Sequence, residues 1–521
     1  MRMLNNPQTK STVITFALLG LITCAHILSK VILGAGLVDD AYIFLRYAHN
    51  LASGAGLVFN PGDPVEGYTS PLWTLLMVVP ALLHVDLPVS AMILSSLFGL
   101  ATLFAVFFFC RKHFAPYKGK EWLAVVPPLI LATNPSFEFW AWSGMDTSLF
   151  TFLFFITFRL FLEQVNDAKL MIGSGLCFFL TAFARLDILA LLPVYLFCIF
   201  FVTRQSRPLF WRKLISFVSP GLLLALHFVW RYSYYGSWLP NTYYAKVGVP
   251  LGVLLQKGLA YTTDFLAAYA LYVAITVIII LLLARLSGSM PAARKLGVAI
   301  TVTWLAYVTY VGGDHFAMFR FYVPILPVLA YIFVSFIPWV IARTATFSPR
   351  SHTLIATLLM VGVFLGNFMV YWSHDGERAR QEVELAGNWV DVGQWLKDNT
   401  PRDSSIASMV IGAISYYSEL HTYDLLGLTD KEIAMRGKIY PEGAIGHQKY
   451  DTSYILAQKP DYIVYVTSGG STTPLGRNFT LPPTYFYAFN DLISDPRTEE
   501  LYDFKEVKMG NGRYIELLQL K

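Results

Sequence analysis

Asp39-Asp40-Ala41-Tyr42-Ile43-Phe44-Leu45-Arg46-Tyr47 follows directly on the first long apolar run of the chain, and its reading decides how the rest is arranged. Two adjacent carboxylates at the edge of a bilayer are costly to fold and ask for a reason. Asp39 suits a helix N-cap, and Ile43, Tyr47 and Leu51 then recur at i, i+4 and i+8. That pattern predicts a helix lying on the membrane interface with both acids held at its inner end.

The chain around it is built for lipid. Of its 521 residues, 55% are hydrophobic and only 14% charged. Water-soluble chains carry about 25% charged residues, so a soluble globular protein is excluded. Cys24, Cys110, Cys177 and Cys198 all sit in apolar runs without paired or His-flanked spacing, which indicates neither disulfides nor zinc. Leu21-Ile22-Thr23-Cys24 is a poor cleavage site and the apolar run continues past it, so an uncleaved anchor is expected.

Apolar segments fall at 11–33, 88–110, 121–137, 148–162, 170–184, 187–203, 214–232, 268–284, 297–311, 323–341 and 353–372. Each approaches the roughly 20 residues that cross a bilayer, giving about 11 spans. The apolar stretch 71–83 is shorter and reads as a second interfacial helix. With the N-terminus inside, the inner segments gather Arg2, Lys10, Arg111, Lys112, Lys118, Lys120, Arg212, Lys213 and further cations against Glu121, Glu163 and Asp167. This satisfies the positive-inside rule and puts the first large loop, 34–87, on the outer side.

The sequence thus divides into a polytopic α-helical membrane domain, 1–372, and a charged segment, 373–521, on the same outer face as the acids. Leu385, Trp389, Val392 and Leu396 mark an amphipathic helix, and 404–410, 461–467 and 513–520 read as strands. A small soluble α/β domain is expected there. Asn478-Phe479-Thr480 matches a glycosylation sequon.

Outside the cell membrane there is no nucleotide pool, and no Gly-x-x-x-x-Gly-Lys phosphate loop occurs. An enzyme acting there draws its activated donor from the membrane. A carboxylate within reach of an acceptor hydroxyl can take its proton. A neighbouring carboxylate can orient the acceptor, raise the base's pKa or hold a divalent cation against a phosphate. Arg and Lys can meet the phosphate directly. The candidates are Asp39 and Asp40 for catalysis, with Arg46, Glu66, Tyr68, Asp146, Arg185, Lys246, Asp314, His315 and Arg320 for substrate. Asp146 also suits a cap for the next helix, and Trp140, Trp142 and Trp238 fit either sugar stacking or an interfacial belt. His315 has no companion that would make it a metal ligand, and no metal or other cofactor is specified.

The run Asp39-Asp40-Ala41-Tyr42, Arg46-Tyr47-Ala48, Gly56-Leu57-Val58-Phe59-Asn60-Pro61-Gly62, Val65-Glu66-Gly67-Tyr68-Thr69 and Leu72-Trp73 resembles the first-loop signature of GT-C membrane glycosyltransferases. It is most similar to the mycobacterial terminal β-(1→2)-arabinofuranosyltransferases. Leu239-Pro240-Asn241-Thr242-Tyr243-Tyr244-Ala245-Lys246, Gly312-Gly313-Asp314, Arg320-Phe321 and Gly446-His447-Gln448-Lys449 add to the likeness. It implies a polyprenyl-phosphate sugar donor, inverting transfer, a first-loop aspartate as base, and a cell-envelope glycan or glycoprotein acceptor. The bacterial inner membrane is the implied location, and no nucleic acid is expected as a partner. Relatives of this architecture use arabinose, mannose, glucose and aminoarabinose, so the sugar stays open, as does the choice between Asp39 and Asp40. A flippase would place ionisable groups at mid-membrane in broken helices, whereas here they cluster in loops. A lipid-linked glycan ligase is the nearest competitor.

Overall fold

The computed structural model describes residues 7–115, 121–167, 169–270, 273, 292–343, 349–465, 470–476 and 482–521. Most of the expected span at 268–284, the sequon at 478–480, Arg2, Lys118, Lys120, and the end of the expected strand at 466–467 lie outside the described residues. Among the described residues, Val13–Leu33, Leu87–Phe114, Thr147–Val165, Leu186–Thr203 and Arg207–Tyr235 are long and apolar enough to cross a membrane. Leu222, Leu223 and Leu226 on the last of these are all largely exposed, a face that only lipid satisfies. The chain is a multi-pass membrane protein.

The first helix, α1, is Pro7–Leu33 and the second, α2, is Asp39–Ala52. The third, α3, is Pro71–Leu82, and α4 is Leu87–Phe114. Ser70 caps α3 by accepting from the Trp73 amide, and Asp86 caps α4 by accepting from the Val89 amide at 2.8 Å. The 12 residues of α3 rise only about 18 Å, too little to span.

The apolar run 121–137 does not form the single span its hydropathy suggests. It is cut into a short turn at Glu121–Ala124, a helix Val126–Ala132 and a helix Pro135–Trp142. Pro127, Pro128 and Pro135 remove the amides a continuous helix would need. Asn134 then opens the new helix by accepting from the Phe137 amide at 2.9 Å.

The position of α2 also differs from an interfacial helix. Ala41 to Ala48 are all buried, because α2 lies between α3 on one side and the short helix Ala413–Ser418 on the other. Its cap is Val38, and the Asp39 side chain does not bond its own helix.

From Ser373 the chain enters the long helix His374–Asn399 and then a five-stranded sheet. Its strands are β1 Ser405–Ser408, β2 His421–Asp424, β5 Tyr462–Tyr465, β6 Tyr502–Lys508 and β7 Tyr514–Leu520. A separate hairpin pairs β3 Lys438–Ile439 with β4 Lys449–Tyr450. The sheet order is β2-β1-β5-β7-β6, parallel from β2 through β5 and antiparallel onward to β7 and β6. Strands were expected at the positions of β1, β5 and β7, and they form there. Val392 and Leu396 of the long helix pack with Ile406, Val464 and Leu517 on one face of the sheet.

Candidate functional site

Asp39 and Asp40 occupy the first turn of α2 and have different surroundings. The Asp39 carboxylate accepts the amides of Gly412 at 3.0 Å and Ala413 at 2.8 Å, so it caps the short helix Ala413–Ser418 from across the fold. Glycine is required at 412: a Cβ there would stand 2.0 Å from the Asp39 carbonyl oxygen and 2.6 Å from its carboxyl. Burial pushes the Asp39 carboxyl up to about 7, the Ala413 amide opposes this, and the charge of Asp40 adds to it.

Asp40 instead faces two cavities that share it. One is a narrow cleft, about 500 Å³ including its mouth, whose walls carry Arg185, Lys246 and Arg320. The other, about 1400 Å³ including its mouth, opens towards the long helix His374–Asn399 and carries Glu382, Leu385 and Trp389. His315 and His447 line both, with rings 4.5 Å apart. Burial raises the Asp40 carboxyl, while Arg320 and then Lys246 hold it down.

The cations are held by carboxylates from other elements. Arg320 donates to Asp314 through Nε at 2.7 Å and through a second nitrogen at 3.0 Å, leaving its remaining nitrogen 3.7 Å from Asp40. Arg185 donates to Asp187 at 2.9 Å and lies 3.6 Å from Asp146. Both guanidiniums lie over the Phe321 ring, at 5.3 Å for Arg185 and 5.5 Å for Arg320. Asp146 stands at the N-cap position of Thr147–Val165, yet its side chain caps nothing, and both its oxygens are buried without a hydrogen-bond partner. Burial raises its carboxyl, with Arg185 opposing. Burial lowers Lys246, and the charge of Arg320 lowers it further.

The loop that aims Arg320 is strained. Met318 and Phe319 both have left-handed backbones, at φ 56° and 45°. Such residues persist where their surroundings over-determine them. Here the Ala317 amide donates to Glu382 at 3.1 Å, the Met318 amide donates to Asp375 at 2.6 Å, and Trp140 Nε1 donates to the Met318 carbonyl at 2.9 Å. Trp140 is fully buried by this role, while Trp142 stacks on His26 and Trp238 on Tyr232.

The structure brings Asp40, Asp146, Arg185, Lys246, Asp314, His315 and Arg320 together. It places Arg46, Glu66 and Tyr68 elsewhere. Arg46 donates to the Phe59 carbonyl at 2.8 Å, the Leu420 carbonyl at 2.7 Å and the Ser415 carbonyl, tying the first loop to the sheet domain. Glu66 is spent on a buried two-point pair with Arg231, at 2.6 Å and 3.1 Å. Tyr68 shares a hydrogen bond with the Tyr235 hydroxyl at 3.2 Å and packs edge-on against Tyr47. Sequence reasoning missed Glu382 and did not single out His447 for the site. Among the described residues no group of three or more His, Cys, Asp or Glu is arranged to hold a metal ion.

The architecture, an apolar helical body with a sheet domain over its polar loops, is the GT-C fold. Over 97% of its length the chain matches ArnT from Cupriavidus metallidurans bound to undecaprenyl phosphate, with TM-score 0.60, 12% identity and 98% of that chain covered. The apo form of the same protein matches with TM-score 0.51 and 11% identity over 98% of each chain. By sequence, 256 residues are 27% identical to the terminal β-(1→2)-arabinofuranosyltransferase of Mycobacterium tuberculosis (strain ATCC 25618 / H37Rv), covering 46% of this chain. The chain spans 39% of that relative's length. Residues 374–505 match a family model described as a domain of unknown function, DUF8728. The resemblance read in the first loop is thus borne out in both sequence and fold.

Proposed function

We propose that this protein is an integral membrane glycosyltransferase. It moves a sugar, arabinofuranose or a related sugar, from a polyprenyl phosphate to a cell-envelope glycan or glycoprotein. The reaction takes place on the periplasmic side of the inner membrane, with the N-terminus cytoplasmic and residues 373–521 forming the periplasmic domain. The observation that carries this reading is the position of Asp40 between a cation-lined cleft and a wide cavity free of clustered cations.

In this reading the donor phosphate lies against Lys246, Arg185 and the uncommitted nitrogen of Arg320. The acceptor hydroxyl enters from the wide cavity, gives its proton to Asp40, and its oxygen bonds to the anomeric carbon. The bond from that carbon to the phosphate oxygen breaks on the opposite face, inverting the configuration, and the polyprenyl phosphate leaves with the electron pair. A carboxyl raised by burial is a better base than a solvated one. Asp39, with both oxygens engaged by amides, positions Asp40.

The test is transfer from a polyprenyl-phosphate pentose in proteoliposomes. Activity is expected from the wild type and not from Asp40→Asn. Undiminished transfer by Asp40→Asn would remove Asp40 as the base, and envelope glycans identical with and without the protein would remove the transferase reading.

A further inference from the structure

The wall of the wide cavity carries information that the transfer step does not use. Arg378, Glu382, Leu385 and Trp389 fall at i, i+4, i+7 and i+11 of the long helix and line the cavity as one stripe. Glu382 and Trp389 are two turns apart, about 10 Å along the axis. Glu382 Oε2 and Trp389 Nε1 are both shut off from bulk water and hydrogen-bonded to nothing in the protein. Buried polar atoms are seldom left so, and a ligand that pairs with them removes the cost.

The other polar groups of the stripe are committed. Glu382 Oε1 accepts the Ala317 amide, and Arg378 donates to the His315 carbonyl at 2.7 Å and lies 3.5 Å from Asp375. The wall therefore presents the carboxyls of Asp39, Asp40 and Glu382 together with an engaged guanidinium. A phosphate entering here meets no uncommitted guanidinium or ammonium, whereas on the other side of Asp40 it meets Arg185, Lys246 and Arg320. An uncharged ligand rich in hydroxyls meets hydrogen-bonding groups set along the apolar surfaces of Leu385 and Met409.

We propose that this stripe is the acceptor subsite and that it takes an uncharged glycan end, hydrogen-bonded by Glu382 and Trp389, while phosphate-bearing glycans are excluded. The proposal rests on the glycosyl-transfer reading above. Burial lifts the Glu382 carboxyl to about 8, so at neutral pH it carries a proton and offers a donor, as the indole N–H does.

The experiment titrates the full-length protein in nanodiscs with a neutral linear pentose oligosaccharide, a glycerol-phosphate oligomer of matched length, and undecaprenyl phosphate. The neutral oligosaccharide is expected to bind and the phosphate oligomer not to. Trp389→Phe and Glu382→Met should each weaken the neutral ligand by about tenfold, the usual worth of one lost hydrogen bond. Glu382→Gln, which keeps a donor and still accepts the Ala317 amide, should restore affinity. Leu385→Trp should abolish glycan binding by filling the cavity. Undecaprenyl phosphate should bind all variants equally, which also shows that they are folded. Equal binding of the phosphate oligomer, or neutral-glycan affinity untouched by Leu385→Trp, would overturn the subsite. A wild type that binds the neutral glycan but no undecaprenyl phosphate keeps the subsite and removes the donor half of the transfer reading.

Discussion

Asp39 reaches across the fold to Gly412, accepting its amide at 3.0 Å, while Asp40 one residue on is free of any amide and faces both cavities. On the proposed reading the pair divides its labour. Asp40→Asn should lower transfer by roughly 100-fold or more, the usual contribution of a general base, without changing the unfolding temperature. Asp39→Asn should lower both, since it weakens the cap that joins α2 to the sheet domain; a cap of this kind is worth about 1 kcal/mol. Transfer rates and thermal unfolding in detergent, measured on both variants, check the division.

Gly412→Ala tests the same junction from the other side. Its Cβ would stand 2.0 Å from the Asp39 carbonyl oxygen, and main chain cannot yield as a side chain can. The sheet domain must shift on α2, so limited proteolysis should cut near residue 412 faster than in the wild type.

Arg320→Ala should raise the donor concentration needed for half-maximal transfer by about 10- to 100-fold, the worth of one charge-assisted hydrogen bond. Arg320→Lys should not restore it, because an ammonium cannot make the two-point bond to Asp314 and still reach toward Asp40. An unchanged donor requirement in the alanine variant would remove Arg320 from the phosphate site.

What the sequence displayed and what it hid follow from chain separation. The tandem acids and the cations were visible because a polar group beside an apolar run stands out. Their partners were not, since Asp39 meets Gly412 and Arg46 meets Leu420 hundreds of residues away. Arg46, Glu66 and Tyr68 looked like substrate groups because they share a loop with Asp40, but proximity in sequence carried them into structural ties with Leu420, Arg231 and Tyr235. Hydropathy alone read 121–137 as one helix, although the prolines at 127, 128 and 135 already contradicted it. Glu382 had a signal, its register with Leu385 and Trp389, but that stripe read only as the apolar face of an amphipathic helix, whereas its first half lines a cavity.

Glu382 makes stability depend on pH in a defined window. Its ordinary value near 4.5 is raised to about 8 by burial, with Asp314 and Asp375 adding to the rise and the Ala317 amide and Arg378 opposing it. The folded state therefore binds a proton more tightly than the unfolded chain. That contribution is complete below about pH 4.5 and is lost as pH rises through 8. Glu382→Gln removes the ionisation, so its unfolding temperature should match the wild type at pH 5 and exceed it at pH 9. Parallel curves for the two proteins would show that Glu382 is not the group responsible.

Glu66 and Arg231 form a buried ion pair outside both cavities, which separates a stability role from a substrate role. Removing one partner strands the other charge away from water, at a cost of about 3–5 kcal/mol. Glu66→Ala should therefore lower the unfolding temperature sharply. The double variant Glu66→Leu with Arg231→Met should recover much of the loss, because two apolar side chains strand no charge. If Glu66 instead touched substrate, the double variant would fold well and still fail to transfer sugar. The expected result is a stable, active double variant, read from unfolding and transfer on the same preparation.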